Sequence, residues 1–264
     1  MSYGPQQGGN LYYDLTPTGI PGLDEALNGG FIRGRTYLVT GETGVGKTLT
    51  ALSFIINGIM KYGEPAIYVS VDETYEQFIN GTKRFGWDLE PLMQQGYFQV
   101  LVPEMDLIET IRQKDPVTVA KSMVQAITDY ANSVEAQRIV IDPIAPLVTL
   151  EKDVQVLREY IRTLVMGIER DVGATTIITT EVPTGSPSIS RYGVEEFLAA
   201  GVLVLGITKA NDGSIKRYLF IRKMRWQGVQ PTIYEMDIQP KIGVVIKEKL
   251  NNIYLPYLSS YLTM

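Results

Sequence analysis

Short apolar runs rich in β-branched residues alternate with longer amphipathic segments along the first two thirds of the chain. Each run is apolar at successive positions, which is typical of strands in a parallel sheet whose two faces are both covered by helices. The pattern therefore predicts alternating strands and helices. The strands are expected at 36–40, 66–71, 97–102, 138–142 and 174–180, and the helices at about 47–61, 74–86, 117–132 and 153–171.

The last of these helices has the most regular pattern. Asp153 precedes it as a candidate N-cap, and Gly173 closes it. Helical spacing of the apolar residues predicts one buried face. Those residues stand at 154, 157, 161, 164, 165 and 168.

After residue 200 the helical patterns give way to apolar runs separated by turn residues. The runs are "GVLVLGIT", "RYLFIRKM", "TIYEMDI" and "VVIKE", and "NDG" at 211–213 separates the first two. This spacing predicts antiparallel hairpins appended to the parallel sheet. The whole pattern predicts an α/β fold with a mainly parallel central sheet, flanking helices and C-terminal antiparallel hairpins.

A chain of 264 residues, 45% of them hydrophobic, can bury a sizeable core. Without a repeat or linker, one domain is expected at 16–249, after a flexible lead-in at 1–15. The apolar tail at 250–264 is too short to span a bilayer. It is expected to pack on this chain or a neighbour, or alternatively to dock a partner. No signal peptide or membrane span is recognised, which favours a cytoplasmic protein.

The sequence contains neither cysteine nor histidine. These absences exclude disulfides, thiolate nucleophiles and the most common general base and transition-metal ligand. Proton transfer would therefore use carboxylates, lysine or tyrosine, and a bound metal would be a hard cation held by oxygen.

The stretch "GETGVGKT" at 41–48 fits the phosphate-binding pattern G-x-x-x-x-G-K-S/T, with a predicted strand before it and a predicted helix after it. Such a loop directs backbone N–H groups at phosphate oxygens, aided by the helix dipole. Lys47 is expected to reach the β- and γ-phosphates of ATP, and Thr48 to bind Mg²⁺. The predicted nucleotide contacts are Gly41, Thr43, Gly44, Val45, Gly46, Lys47, Thr48 and Leu49.

Two further sites complete the predicted chemistry. Asp142 ends the apolar strand of "RIVIDPIAPL" and is a candidate, together with Thr48, for holding the Mg²⁺ ion. Asp72 and Glu73 follow the strand of "IYVSVDETYEQF", where a carboxylate could orient or deprotonate the attacking water. The alternative is that these two acids only cap the following helix.

From about residue 16 to 246 the chain resembles a single-domain member of the KaiC branch of the RecA-like ATPases. The resemblance lies in "TPTGIPGLDEALNGGFIRGRTYLVTGETGVGKT", "FGWDLEPL", "GATTIITTE" and "RYGVEEF". It implies a RecA-like fold and a ring, usually a hexamer, with ATP at the subunit interfaces. It assigns the catalytic acids to Asp72 and Glu73. It also implies that Lys223 and Arg225 of "IRKMR" reach the γ-phosphate of a neighbouring subunit.

The resemblance does not extend to the autokinase activity of KaiC, which has two such domains in tandem. Glu196 and Phe197 align with the acceptor positions and are not such acceptors, so stable autophosphorylation is not expected. The loop at 181–193 has one basic residue, Arg191, and the net charge is −5. Binding of DNA is therefore expected to be weak or absent.

The sequence is compatible with three functions. The preferred one is a slow, ring-forming ATPase whose nucleotide state regulates partner proteins that the sequence does not identify. The second is a nucleotide-dependent scaffold with negligible turnover, and the third is a RadA-like DNA-binding recombinase paralogue.

Overall fold

The structure of this chain is a computed structural model that describes residues 14–102, 115–144, 153–209 and 213–250. Most of the predicted lead-in and tail, and most of the "NDG" turn, lie outside these residues. The strands are β1 (Leu15–Thr16), β2 (Phe31–Ile32), β3 (Thr36–Gly41), β4 (Ala66–Ser70), β5 (Phe98–Leu101), β6 (Arg138–Asp142), β7 (Thr175–Glu181), β8 (Gly201–Lys209), β9 (Ile215–Met224), β10 (Thr232–Gln239) and β11 (Gly243–Lys249). The helices are α1 (Leu23–Ala26), α2 (Lys47–Tyr62), α3 (Tyr75–Phe85), α4 (Glu90–Gln94), α5 (Pro116–Ser133), α6 (Val154–Asp171) and α7 (Glu195–Leu198).

A nine-stranded sheet in the order β11-β10-β9-β8-β3-β7-β6-β4-β5 forms the centre of the described fold. The strands from β8 to β5 in this order pair in parallel, and those from β8 to β11 pair antiparallel. The predicted α/β class, with a mainly parallel sheet and C-terminal antiparallel strands, is confirmed.

Helices cover both faces of the parallel strands, which explains why those strands are apolar at successive positions. On one face, Tyr37 and Val39 of β3 share a hydrophobic cluster with Phe54 of α2. On the other face, Leu38 of the same strand shares a cluster with α5 and α6, for example with Ile161. The alternation along β3 therefore sends neighbouring side chains into two separate parts of the core.

Helix α6 confirms the predicted cap, because the Asp153 carboxylate accepts a hydrogen bond from Gln155 N at 2.8 Å. The predicted buried face is correct from residue 157 onward, whereas Val154 is 55% exposed. Val154 is the first residue of the helix, and it lies beyond the part of α6 that packs in the core. Sequence patterns also missed β1, β2, α1, α4 and α7, which are too short to show a period.

A buried ion pair holds α2 against the start of β6. The fully buried Arg138 donates to Glu64 Oε2 at 2.7 Å and to the Phe54 carbonyl at 2.9 Å. The guanidinium also lies 4.5 Å from the centre of the Phe54 ring. Gly58 of α2 makes room for it, since a Cβ there would lie 2.2 Å from Arg138 Nε. The contact links the helix that follows the glycine-rich loop to the strand that ends at Asp142.

Replacing Gly58 with alanine should therefore destabilise the protein, although alanine is the better helix former. We expect Gly58→Ala to lower the free energy of unfolding by about 1–3 kcal/mol, because the guanidinium must leave its hydrogen bonds. Gly81 of α3 is the matched control: it is exposed and has nothing near its Cβ position. Gly81→Ala should raise stability by about 0.5–1 kcal/mol. Urea unfolding that gave both variants the same stability would contradict the packing described here.

Candidate functional site

A cavity of about 590 Å³ lies at the edge of the sheet where β3, β7, β6 and β4 end. Parallel register brings these ends level: Gly41 lies opposite Glu181, and Ser70 lies opposite Asp142. The cavity thus collects groups that are far apart in sequence. Its lining residues are Thr43, Gly44, Gly46, Lys47, Thr48, Leu49, Tyr68, Ser70, Asp72, Glu73, Asp142, Pro143, Glu181, Arg217 and Ile238.

The glycine-rich loop joins β3 to α2 at the cavity wall. Gly46 has φ of 110°, and a Cβ there would approach Ile238 Cδ1 to 2.9 Å, so glycine is required. Helix α2 starts at Lys47 without a side-chain cap, and its first N–H groups can bind an anion. Two predicted contacts, Gly41 and Val45, do not line the cavity, and the side chain of Val45 is buried in the core.

Lys47 lies folded over this loop. Its Nζ donates to the carbonyl oxygens of Gly41 at 3.1 Å and Glu42 at 2.8 Å, and lies 3.6 Å from Glu181 Oε1. Burial lowers the pKa of Lys47, while the nearby carboxylates of Glu181 and Asp142 act in the opposite direction. The ammonium is thus a cation in a partly desolvated position beside the loop.

Asp142 is held at the inner end of the cavity by two hydroxyl groups. Tyr68 donates to one carboxylate oxygen and Thr179 to the other. The Tyr68 hydroxyl also interacts with Thr48, and burial and the Asp142 charge raise the pKa of Tyr68 well above its usual value. The orientation of the carboxylate is therefore fixed by its neighbours.

The oxygen donors of Thr48 and Asp142 suit Mg²⁺, which prefers hard ligands and usually combines one or two protein oxygens with phosphates and water. Both residues line the same cavity. Within the described residues there is no cluster of three or more His, Cys, Asp or Glu side chains that could hold a metal ion. The arrangement fits a magnesium ion that arrives with a nucleotide rather than an ion enclosed entirely by protein.

Asp72 and Glu73 follow β4 at the mouth of the cavity. Thr74, not either acid, caps α3: its side chain accepts from Gln77 N, and Gln77 Oε1 accepts from Thr74 N. Partial burial raises the pKa of both carboxyls, with further contributions from nearby carboxylates. A carboxylate with a raised pKa is a better proton acceptor. Within the described part of the chain, neither acid caps α3 through a hydrogen bond.

Sequence reasoning missed four polar residues of the cavity, namely Tyr68, Ser70, Glu181 and Arg217. Glu181 stands at the carboxyl end of β7, so the rule applied to Asp142 could have found it. Tyr68 lies inside β4 and reads as an ordinary core residue, and Arg217 belongs to the antiparallel part of the sheet. For these two, no local signal distinguishes them from their neighbours.

Lys223 and Arg225 do not line this cavity. They lie with Glu196 and Phe197 around a second cavity of about 540 Å³. Lys223 Nζ donates to the carbonyls of Glu196 at 2.7 Å and Ala199 at 2.8 Å, and Arg225 donates to that of Phe197 at 2.5 Å. Within one chain the structure therefore keeps the two predicted cations apart from the glycine-rich loop.

In the part of the chain that the structure describes, no helix is long and apolar enough to cross a membrane.

The chain is similar in sequence to known proteins. The family model "ATPase: KaiC" matches residues 16–251. The chain is 35% identical over 190 residues to the circadian clock oscillator protein KaiC of Parathermosynechococcus lividus, covering 71% of this chain and 34% of that protein. For the protein of the same name from Synechococcus elongatus the identity is 34%, covering 71% and 36%. The chain thus spans about a third of the length of these curated relatives.

A solved structure is similar as well. The crystal structure of a KaiC-like protein from the hyperthermophilic archaeon Pyrococcus horikoshii OT3 matches with a TM-score of 0.75 and 34% identity. The match covers 89% of this chain and 100% of that chain.

Removing the Tyr68 hydroxyl tests whether Asp142 serves a metal. We expect Tyr68→Phe to weaken ATP binding about 10-fold in the presence of Mg²⁺, because Asp142 loses a group that orients it. Binding in EDTA should not change. The control is Tyr160→Phe, since Tyr160 is also buried, its hydroxyl donates to the sulfur of Met123, and it does not line the cavity. Calorimetry showing equal losses with and without Mg²⁺ would contradict the assignment.

Proposed function

Because the chain belongs to the KaiC family of ATPases, we propose that it binds ATP with Mg²⁺ in this cavity and hydrolyses it slowly. The active form is a ring-forming oligomer, with a hexamer as the expected size, whose nucleotide state regulates partner proteins. The observation that carries the proposal is the convergence of the glycine-rich loop, Asp142 and the Asp72–Glu73 pair on one cavity. We assign the ATPase domain to residues 16–249.

Each group has a role in this proposal. The loop and the start of α2 bind the phosphates through backbone N–H groups, and Lys47 leaves its carbonyl contacts for the β- and γ-phosphates. Thr48 and Asp142 hold Mg²⁺, which would neutralise phosphate charge. Glu73 orients and deprotonates the attacking water, and Asp72 supports it.

The charges of the cavity explain why a further cation is needed. Among the described residues, its lining carries the carboxyls of Asp72, Glu73, Asp142 and Glu181 but two basic groups, Lys47 and Arg217. A bound triphosphate adds more negative charge, and the developing charge on the γ-phosphate needs stabilisation. We propose that Lys223 and Arg225 of a neighbouring subunit supply it.

The scaffold alternative keeps nucleotide binding and assembly but no hydrolysis. The position of Thr74 as the cap of α3 disfavours it, because the two acids are then not needed for that structural role. The recombinase alternative is disfavoured by the net charge of −5 and by the single basic residue of the loop at 181–193. Stable autophosphorylation is not proposed, since Glu196 and Phe197 stand at the aligned acceptor positions.

Changing Glu73 tests the proposed chemistry. Glu73→Gln should retain ATP binding but slow hydrolysis by roughly 10²–10⁴-fold, because the general base is lost. The control is Glu76→Gln, an exposed acid on α3 that does not line the cavity. Phosphate release should be measured with bound nucleotide quantified in parallel. An unchanged rate would favour the scaffold, and a larger defect in Asp72→Asn would exchange the roles of the two acids.

A mixing experiment tests donation in trans. Arg225→Ala cannot donate the cation and Glu73→Gln cannot host the reaction, so each should be nearly inactive alone. Mixed oligomers should recover part of the activity, since some interfaces then join an intact host to an intact donor. If subunit exchange is demonstrated and activity does not recover, the cation is not supplied by a neighbour.

A further inference from the structure

The ammonium of Lys223 is held by the carbonyl end of α7. Two of its three N–H groups donate to Glu196 O and Ala199 O, and Arg225 donates to Phe197 O in the same segment. Carbonyl groups at a helix end lack partners within the helix and readily accept from cations. Among the described residues, the third N–H of Lys223 has no acceptor, so it can donate to a phosphate oxygen.

The side chain of Glu196 is itself fixed. It accepts a hydrogen bond from Ser190, which is 1% exposed and also accepts from Gly193 N at 3.2 Å. The residue before Ser190 is anchored to β3, because Thr40 Oγ1 donates to the Ile189 carbonyl. The carboxylate is therefore held by Ser190 in the cavity that Lys223 also lines, and the backbone carbonyl of the same residue accepts from Lys223 Nζ.

The charged groups facing Lys223 have opposite effects. Arg222 near the end of β9, Arg225 just after it and Glu196 of α7 line the same cavity as Lys223. Burial and the Arg225 charge lower the pKa of Lys223 to about 8, while the Glu196 carboxylate favours the charged form. Without Glu196, Lys223 would lose its proton at lower pH and would no longer be a reliable cation.

We propose that Glu196 is a positioning residue for hydrolysis, which keeps Lys223 charged and directed at the phosphate of a neighbouring subunit. The inference rests on the proposed donation of Lys223 in trans. It adds that backbone carbonyls of residues 194–199 hold Lys223 and Arg225 in place. Ser190 in turn holds the carboxylate of Glu196. Glu196 touches no substrate in this arrangement and acts through Lys223.

The charge state of Lys223 can be measured without any enzymatic activity. The intact chain, without nucleotide, is labelled with acetic anhydride over a pH series, and modification of Lys223 is quantified by mass spectrometry. The midpoint for the wild type should lie near the pKa of about 8. In Glu196→Gln, which retains the shape of the side chain, the midpoint should fall by roughly half a pH unit or more. Glu248→Gln, an exposed acid on β11, is the control and should not change it.

Ser190→Ala provides a second variant in case Glu196→Gln folds poorly. It keeps the carboxylate but removes the hydroxyl that holds it, so the midpoint should move in the same direction by less. An unchanged midpoint in both variants would overturn the inference.

Hydrolysis gives the functional test. The rate should decline as pH rises and Lys223 loses its proton, and the decline should begin at lower pH in Glu196→Gln than in Glu248→Gln. Wild-type hydrolysis that requires assembly would support the proposed function. If the rates of the two variants nevertheless decline over the same alkaline pH range, this role of Glu196 is wrong and the proposed function stands. If the labelling midpoint moves but the wild type does not hydrolyse ATP, the proposed function and this role both fail.

Discussion

Parallel pairing of four strands is the constraint on which the site depends. In a parallel sheet the carboxyl ends of the strands lie at one edge, and the register of β3, β7, β6 and β4 makes these ends level. Groups that follow the strands must then meet. The glycine-rich loop, Glu181, Asp142 and the Asp72–Glu73 pair are brought together in this way, and burial of the strands on both faces keeps their order fixed.

The same constraint explains how much could be predicted from the sequence. Apolar runs in the sequence predict β3 to β7, and the candidate acids Asp72, Glu73 and Asp142 stand at the ends of such runs. The glycine-rich loop can be recognised because its glycines and Lys47 meet requirements of the loop itself and do not depend on distant residues. Asp153 could be identified as a cap for the same reason. Such features are determined by residues close to one another in the chain.

Features that depend on distant partners could not be predicted. The hydroxyl of Tyr68 reaches Asp142 only because β4 and β6 are neighbours, and nothing around Tyr68 in the sequence indicates this. Arg217 enters the cavity because β8 pairs in parallel with β3 and brings β9 beside it. Similarly, the contacts of Lys223 with the end of α7 depend on the fold as a whole.

Lys223 and Arg225 lie apart from the cavity, and this separation is the reason for proposing that hydrolysis requires a neighbouring subunit. A single chain places the glycine-rich loop, Asp142 and the Asp72–Glu73 pair around one cavity, and Lys223 and Arg225 around another. A head-to-tail arrangement of identical subunits would join these surfaces at every interface, and such an arrangement closes into a ring when the rotation permits. Hydrolysis would then be a property of the assembly.

The most direct test follows ATP hydrolysis per chain over a dilution series, with the mass of the assembly measured at each concentration. We expect the rate per chain to rise with the fraction of oligomer and to be near zero for monomers, because hydrolysis is proposed to need a neighbouring subunit. A monomer that hydrolyses ATP at the rate of the assembled protein would contradict it.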